Sequence, residues 1–326
     1  MATFGLEEEV FVVEPAAPSL NSLYYLARLL WRDPQTNIPR TASNFARGAD
    51  LSRGLMSAVE LSTGVQPDST SLLEDLRARR ADLAGVADGL VVPLGHLLDF
   101  DTPTNVAALQ VHVGCLPDRE RAFDNLAHFL PLLGLLTADS PAASGKRFGQ
   151  SYRMARGFAT GPLGDDPAVR FQDLIVSKRL GTIEIRVLDP TWDMERIGVL
   201  VRAIEEIVEL PQHLDPRRDW YNSGRQRVAS EGYIDELRPL YVELAQIADV
   251  PESLLERTAA DEVWDLFARD GLVPAYSAID NGYRTGVFEP REVPPMRASA
   301  LRSVLGFAGY YVPKLPYTTW KYLKEK

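Results

Sequence analysis

Three glutamates stand in a row inside a run that otherwise reads as a β-strand, Phe4-Gly5-Leu6-Glu7-Glu8-Glu9-Val10-Phe11-Val12-Val13. A strand turns successive side chains to opposite faces, so Glu7 and Glu9 share one face while Glu8 lies on the other with Phe4, Leu6, Val10 and Val12. Two like charges roughly 7 Å apart along a half-buried strand cost free energy unless a cation stands between them. The plain alternative is an edge strand whose acids discourage pairing with another chain.

Three later runs repeat the arrangement. In Met56-Ser57-Ala58-Val59-Glu60-Leu61-Ser62-Thr63, Glu60 shares a face with Ala58 and Ser62. In the run Val106 to Val113, Gln110 and His112 share one face, opposite Leu109, Val111 and Val113. In the run Thr182 to Leu188, Thr182, Glu184 and Arg186 alternate with Ile183, Ile185 and Val187. Each alone has an ordinary explanation: a surface acid, a half-buried histidine, a Glu184–Arg186 pair. Four strands that each set Glu, His or Arg opposite an apolar face are better explained by one shared site. Hard oxygen donors with a single imidazole suit Mg²⁺ or Mn²⁺ rather than Zn²⁺ or an iron–sulfur centre. Glu7, Glu9, Glu60, His112 and Glu184 are the candidate ligands. Mg²⁺ in such sites usually accompanies phosphate, yet the chain has no G-x-x-x-x-G-K-[ST] loop and no G-x-G-x-x-G turn, so a nucleotide would be held another way.

Between and after the strands, apolar residues recur three and four apart, as in Leu72, Leu73, Leu76, Leu83 and Val86, in Phe123 to Leu133, and in Ile197 to Val208. These predict helices, as do Ile234 to Leu244 and Leu254 to Phe267. The order is that of an α+β chain with an antiparallel or mixed sheet, one face open to a site. The 326 residues are read as a single domain, mainly helical from about residue 211, with Pro211 to Gly224 as the connection. With 35 basic against 45 acidic residues the net charge of -10 argues against nucleic acid as the main partner. No run approaches the roughly 18 apolar residues of a membrane span. The lone Cys115 excludes an internal disulfide, and acids at Glu7 to Glu9 oppose a signal peptide, so a cytoplasmic protein is expected.

Cations for a transferring phosphoryl group are available in Lys146 to Arg156, Arg153 above all, and in Lys178-Arg179. Together with these, the Gly-Leu-Glu-Glu-Glu start, Val59-Glu60-Leu61-Ser62-Thr63-Gly64, Val111-His112-Val113-Gly114, Ala138-Asp139-Ser140-Pro141, Ser151-Tyr152-Arg153 and Gly181-Thr182-Ile183-Glu184-Ile185-Arg186-Val187 resemble the type 2 glutamate–cysteine ligase family. The resemblance runs in order from about Gly5 to about Asp189. It implies an ATP-dependent carboxylate–amine ligase with a curved, largely antiparallel sheet of the glutamine-synthetase type and helices on its outer face. It also implies that Glu7, Glu9, Glu60, His112 and Glu184 hold Mg²⁺ and that Arg186 lies beside the γ-phosphate with Lys178 and Arg179. Arg153 would approach the acyl phosphate or the substrate carboxylate. The substrates implied are a small carboxylate, the γ-carboxylate of glutamate above all, and an amine. Gln110 stands where the family often has a first His, Asp139 where it has Asn, and Phe171-Gln172-Asp173 where it has Trp-Trp-Asp. Two other readings fit the residues: a guanidino-type phosphotransferase of the same fold, and a non-catalytic nucleotide-binding protein derived from a ligase. The aromatic and basic tail, Tyr310 to Lys324, is expected to pack on the body, and a homo-oligomer remains compatible with the sequence.

Overall fold

A computed structural model describes residues 2–14, 21–45, 57–293 and 299–324. In chain order the elements begin with β1 (Thr3–Val13), α1 (Asn21–Arg32), α2 (Pro34–Arg40), β2 (Thr41–Phe45), β3 (Ser57–Ser62), α3 (Ser69–Val86), β4 (Leu90–Val92), β5 (Leu109–Gly114) and α4 (Arg119–Leu136). There follow the small pair β6 (Ala142–Ala143) and β7 (Lys146–Arg147), then α5 (Tyr152–Arg156), β8 (Leu174–Val176), β9 (Ile183–Ile185) and α6 (Met194–Glu209). The remainder is helical: α7 (Arg218–Glu231), α8 (Arg238–Leu244), α9 (Ser253–Glu256), α10 (Ala259–Asp270), α11 (Leu272–Thr285) and α12 (Ala300–Lys324). The expected Met56 lies outside the described residues.

The main sheet runs β2-β3-β1-β5-β9-β8, with β4 also on β1, and every pairing in it is antiparallel. Its apolar face carries Phe4, Leu6, Val111, Val113, Ile183 and Ile185 into one core with α3, α4 and α6. Helices α7 and α8 reach that same core through Tyr221, Val228, Leu240 and Leu244. Aspartates start the long helices: Asp68 accepts from Ser71 N at 2.7 Å, Asp118 from Arg121 N at 3.0 Å and Asp193 from Glu195 N at 2.8 Å. No helix of the described residues is long and apolar enough to cross a membrane.

Glu8 shows how a strand tolerates three acids in succession. Its carboxylate is fully buried among apolar side chains and is met by Arg80 of α3, whose other hydrogen bonds go to the carbonyls of Trp192 and Thr191 at 3.2 and 2.7 Å. A buried carboxylate paired with a well hydrogen-bonded guanidinium is tolerated where a lone one is not. The opposite face stays polar only as far as Glu9, because Phe11 and Val13 beyond it bury against α11 residues such as Ala275 and Ile279.

Two strand lengths differ from the sequence reading. The strand placed at Val106 to Val113 begins at Leu109, since Ala107 N bonds Gly95 O at 3.1 Å rather than a neighbouring strand. The strand placed at Thr182 to Leu188 leaves the ladder after Ile185, where Arg186 N and Val187 N both turn to the carbonyl of Asp173, at 2.8 and 3.2 Å. Two donors on one acceptor bend the chain as a bulge does, and the bend aims Arg186. The helix expected over Leu254 to Phe267 is two helices, α10 being started afresh by a Thr258–Asp261 capping box. At the far end, α12 covers the outer side of edge strand β2: Tyr310 Oη donates to Thr41 O at 3.1 Å, and Lys314 Nζ donates to the same oxygen.

Candidate active site

The polar face of the sheet is the wall of a cavity of about 600 Å³. Glu7, Glu9, Glu60, His112, Glu184, Arg186, Arg153, Lys178 and Arg179 all line it, so the nine residues singled out in the sequence are brought together. Sheet register sets their spacing. Glu9 stands opposite Glu60, Glu7 opposite Gln110, and His112 opposite Glu184. In strand order, acids therefore occupy β3 and β1, His112 follows on β5, and the cations gather at β9 and its hairpin with β8.

Like charges placed directly across a ladder repel. Burial first, then the charges of Glu9 and Glu7, push the Glu60 carboxyl up to about 8. Glu7 goes the other way. Burial opposes its charge, but nearby His112, whose Nε2 is 3.8 Å from Glu7 Oε2, and then Arg179 and Arg186 hold it below the usual carboxylate range. His112 is oriented by Thr182, with 3.3 Å between Nδ1 and the threonine Oγ1, while its Nε2 is buried with no hydrogen-bond partner. Among the described residues no three His, Cys, Asp or Glu side chains stand close enough together to chelate an ion in this conformation. The donors on this wall are nonetheless of the kind a hard divalent cation takes, carboxylate oxygens together with one buried imidazole nitrogen, His112 Nε2, that has no hydrogen-bond partner.

The arginines are anchored differently. Arg186 reaches Glu184 at 2.5 Å, so the plain Glu184–Arg186 pair anticipated from the strand alternation does form, inside the cavity. Arg153, 1% exposed, spends its terminal nitrogens on the backbone carbonyls of Leu188 and Arg186, at 3.1 and 2.7 Å. It braces the chain that carries Arg186. Lys178 and Arg179 are exposed at the tip of the β8–β9 hairpin, whose turn is closed by Ser177 N to Thr182 O at 2.9 Å and Gly181 N to Ser177 O at 2.7 Å. Gly181 has φ of 69°, a left-handed value that glycine adopts without strain.

The loop between α5 and β8 walls the other side, where Phe158, Ala168, Arg170 and Phe171 face the cavity. Its two ends are tied together at Asp173. Asp173 N bonds Gly161 O and its carboxylate accepts Gly161 N, both at 2.9 Å; Tyr221 Oη donates to it at 2.6 Å, and Arg225 of α7 completes the set through two nitrogens, one at 2.9 Å. Burial, then the charge of Asp173, keep the Tyr221 hydroxyl protonated and a donor. The Phe-Gln-Asp segment at the family's Trp-Trp-Asp position was the available signal; its partners on α7 were not. Asp139 is wholly buried, and burial, with Asp189 nearby, pushes its carboxyl well above the usual carboxylate range.

No known family's sequence profile matches the chain, and neither does any curated protein. Solved structures do match. A bifunctional glutathione synthetase from Pasteurella multocida superposes over 87% of this chain with a TM-score of 0.61 at 12% identity, and this chain spans 51% of its length. The glutamate–cysteine ligase of Francisella tularensis, solved in complex with AMP, superposes over 98% of this chain and 94% of its own, with a TM-score of 0.58 at 10% identity. The chain shares the fold of these carboxylate–amine ligases. The resemblance drawn from the motifs thus has its counterpart in three dimensions.

Proposed function

We propose that the cavity joins a small carboxylate to an amine at the expense of ATP, through an acyl phosphate. The observation that carries this is the convergence of nine residues from separate segments on one cavity, Glu7, Glu9 and Glu60 at one side and the cations, with Glu184 among them, at the other. A carboxylate cannot acylate an amine at neutral pH because oxide is a poor leaving group. Attack of a carboxylate oxygen on the γ-phosphorus, with cleavage of the bond to ADP, converts that oxygen into part of a phosphate. The amine nitrogen then attacks the acyl carbon, inorganic phosphate departs with the C–O electron pair, and the nitrogen sheds its proton.

Glu7, Glu9, Glu60, His112 and Glu184 are the residues that would hold Mg²⁺ or Mn²⁺. When bound, the ion supplies charge neutralisation at the phosphate oxygens. Arg186 is placed to exchange Glu184 for the transferring group, and Arg153 fixes where Arg186 points. Lys178 and Arg179 draw the triphosphate in from the rim. Phe158 and Phe171 limit water near an intermediate that hydrolyses readily. The γ-carboxylate of glutamate is the carboxylate we favour, and the acidic side of the cavity suits an ammonium form of the acceptor before it loses its proton.

Cation binding tests the acidic wall. A divalent ion must displace the Glu60 proton, so Mn²⁺ affinity should rise as pH rises towards about 8 and level off above it. Calorimetry at pH 6.5 and 8.5 should show roughly 25-fold tighter binding at the higher pH, with proton release at the lower. Affinity independent of pH would remove Glu60 from the site.

A further inference from the structure

Helix α12 carries a second apolar face. Its inner side packs on α1, where Gly306 leaves no room for a Cβ against the backbone of Leu23 and Tyr24. Pro313 has no N–H to give Gly309 O, and Trp31 Nε1 donates to that carbonyl instead, at 3.0 Å. On the outer side Leu301, Leu305, Ala308, Val312, Leu315 and Tyr322 follow one another at steps of four, three, four, three and seven residues. The five large ones are between 53% and 67% exposed, and half of the large exposed hydrophobics among the described residues belong to this one helix. A stripe of that size on a surface is rarely left bare.

Steps of four and three make the seam along which two helices pack knobs into holes. The charges of α12 lie away from the stripe. Arg302 pairs with Glu14 and Asp88 of the body at 3.5 and 3.6 Å, and Lys314 donates to Tyr310 Oη at 2.8 Å. Lys321, two turns on, falls on the same inner side as Lys314. An identical stripe laid against this one therefore meets no like charge. An anionic lipid surface is a poorer match, because a helix that lies on lipid rims its apolar face with cations, and this chain has a net charge of -10. The area also agrees. At roughly 100 Å² for each of its five large side chains the stripe offers on the order of 500 Å², so two copies would bury about 1,000 Å², the lower end of what a specific interface needs.

We propose that α12 pairs with α12 of a second copy of this chain, closing the stripe in an isologous interface. Val312 lies near the middle of the stripe, so it meets its own counterpart whether the two helices run parallel or antiparallel. Light scattering on the full chain at micromolar concentration should give twice the chain mass. Val312→Glu and Val312→Lys, both at an exposed position, should each give a folded monomer whose Tm no longer depends on protein concentration, and mixing the two in equal amounts should restore the dimer. A monomeric wild type, a dimer that survives both substitutions, or a monomer that binds anionic vesicles through this stripe would overturn the proposal.

Discussion

Arg186→Ala should lower turnover by a factor of about 10² to 10³ while the chain still folds, the range seen when one preorganised charge-stabilising donor is removed from a transition state. A complication has to be separated from that loss. Arg186 is also the 2.5 Å partner of Glu184, which is 6% exposed, so the single variant leaves a buried carboxylate unpaired and loses stability as well. The double variant Glu184→Gln/Arg186→Gln resolves it. With no charge left to strand, Tm should return towards the wild-type value, whereas turnover should stay lost. Recovery of both would mean that the pair merely ties the strand together. Rapid-quench measurement of ADP formation beside differential scanning calorimetry distinguishes the outcomes.

The second large effect concerns Arg225, far from the cavity in sequence. Arg225→Met should destabilise the fold by about 3–5 kcal/mol, because Asp173, fully buried, would keep its charge with only the neutral donors Gly161 N and Tyr221 Oη. In a chain of this size that is a fall in Tm of roughly 4–7 °C. Asp173→Asn in the same chain removes the stranded charge and should recover much of it. Because the Asp173 carbonyl also accepts Arg186 N at 2.8 Å, the single variant should cost activity beyond what its stability explains. A Tm within about 1 °C of wild type would contradict the role given to this cluster.

The two clusters differ in how visible they were beforehand. Strand alternation is a local rule, so the face shared by Glu7 and Glu9, the Gln110–His112 pair and the Glu184–Arg186 pair could be read directly from the chain. Which strand would lie beside which could not, since the Glu9–Glu60 register depends on pairings across 51 positions; that the faces share one site was inferred from the repeated pattern alone, and the motif resemblance picked the same residues. Glu8 was placed correctly opposite its neighbours, yet Arg80, 72 positions away, had no sequence signal marking it as the partner. Asp173 and Arg225 share that difficulty, being 52 positions apart. Arg153 shows a different limit: an arginine in a family motif suggests ligand contact, and only the fold reveals its nitrogens held by backbone carbonyls. Asp139 was visible in the sequence only as an acid standing where the family has Asn; the fold shows it buried beside Asp189, where burial pushes its carboxyl well above the usual carboxylate range.

Oxygen tracing reaches the proposed chemistry most directly. Glutamate labelled with ¹⁸O in its γ-carboxylate, incubated with the enzyme, ATP, Mg²⁺ and a panel of amines, should pass one labelled oxygen to each inorganic phosphate released, visible as an isotope shift in ³¹P spectra. Amine-dependent release of phosphate with no label would rule out a shared oxygen and with it the acyl phosphate, and transfer to a guanidino acceptor without phosphate release would assign the cavity to a phosphotransferase instead.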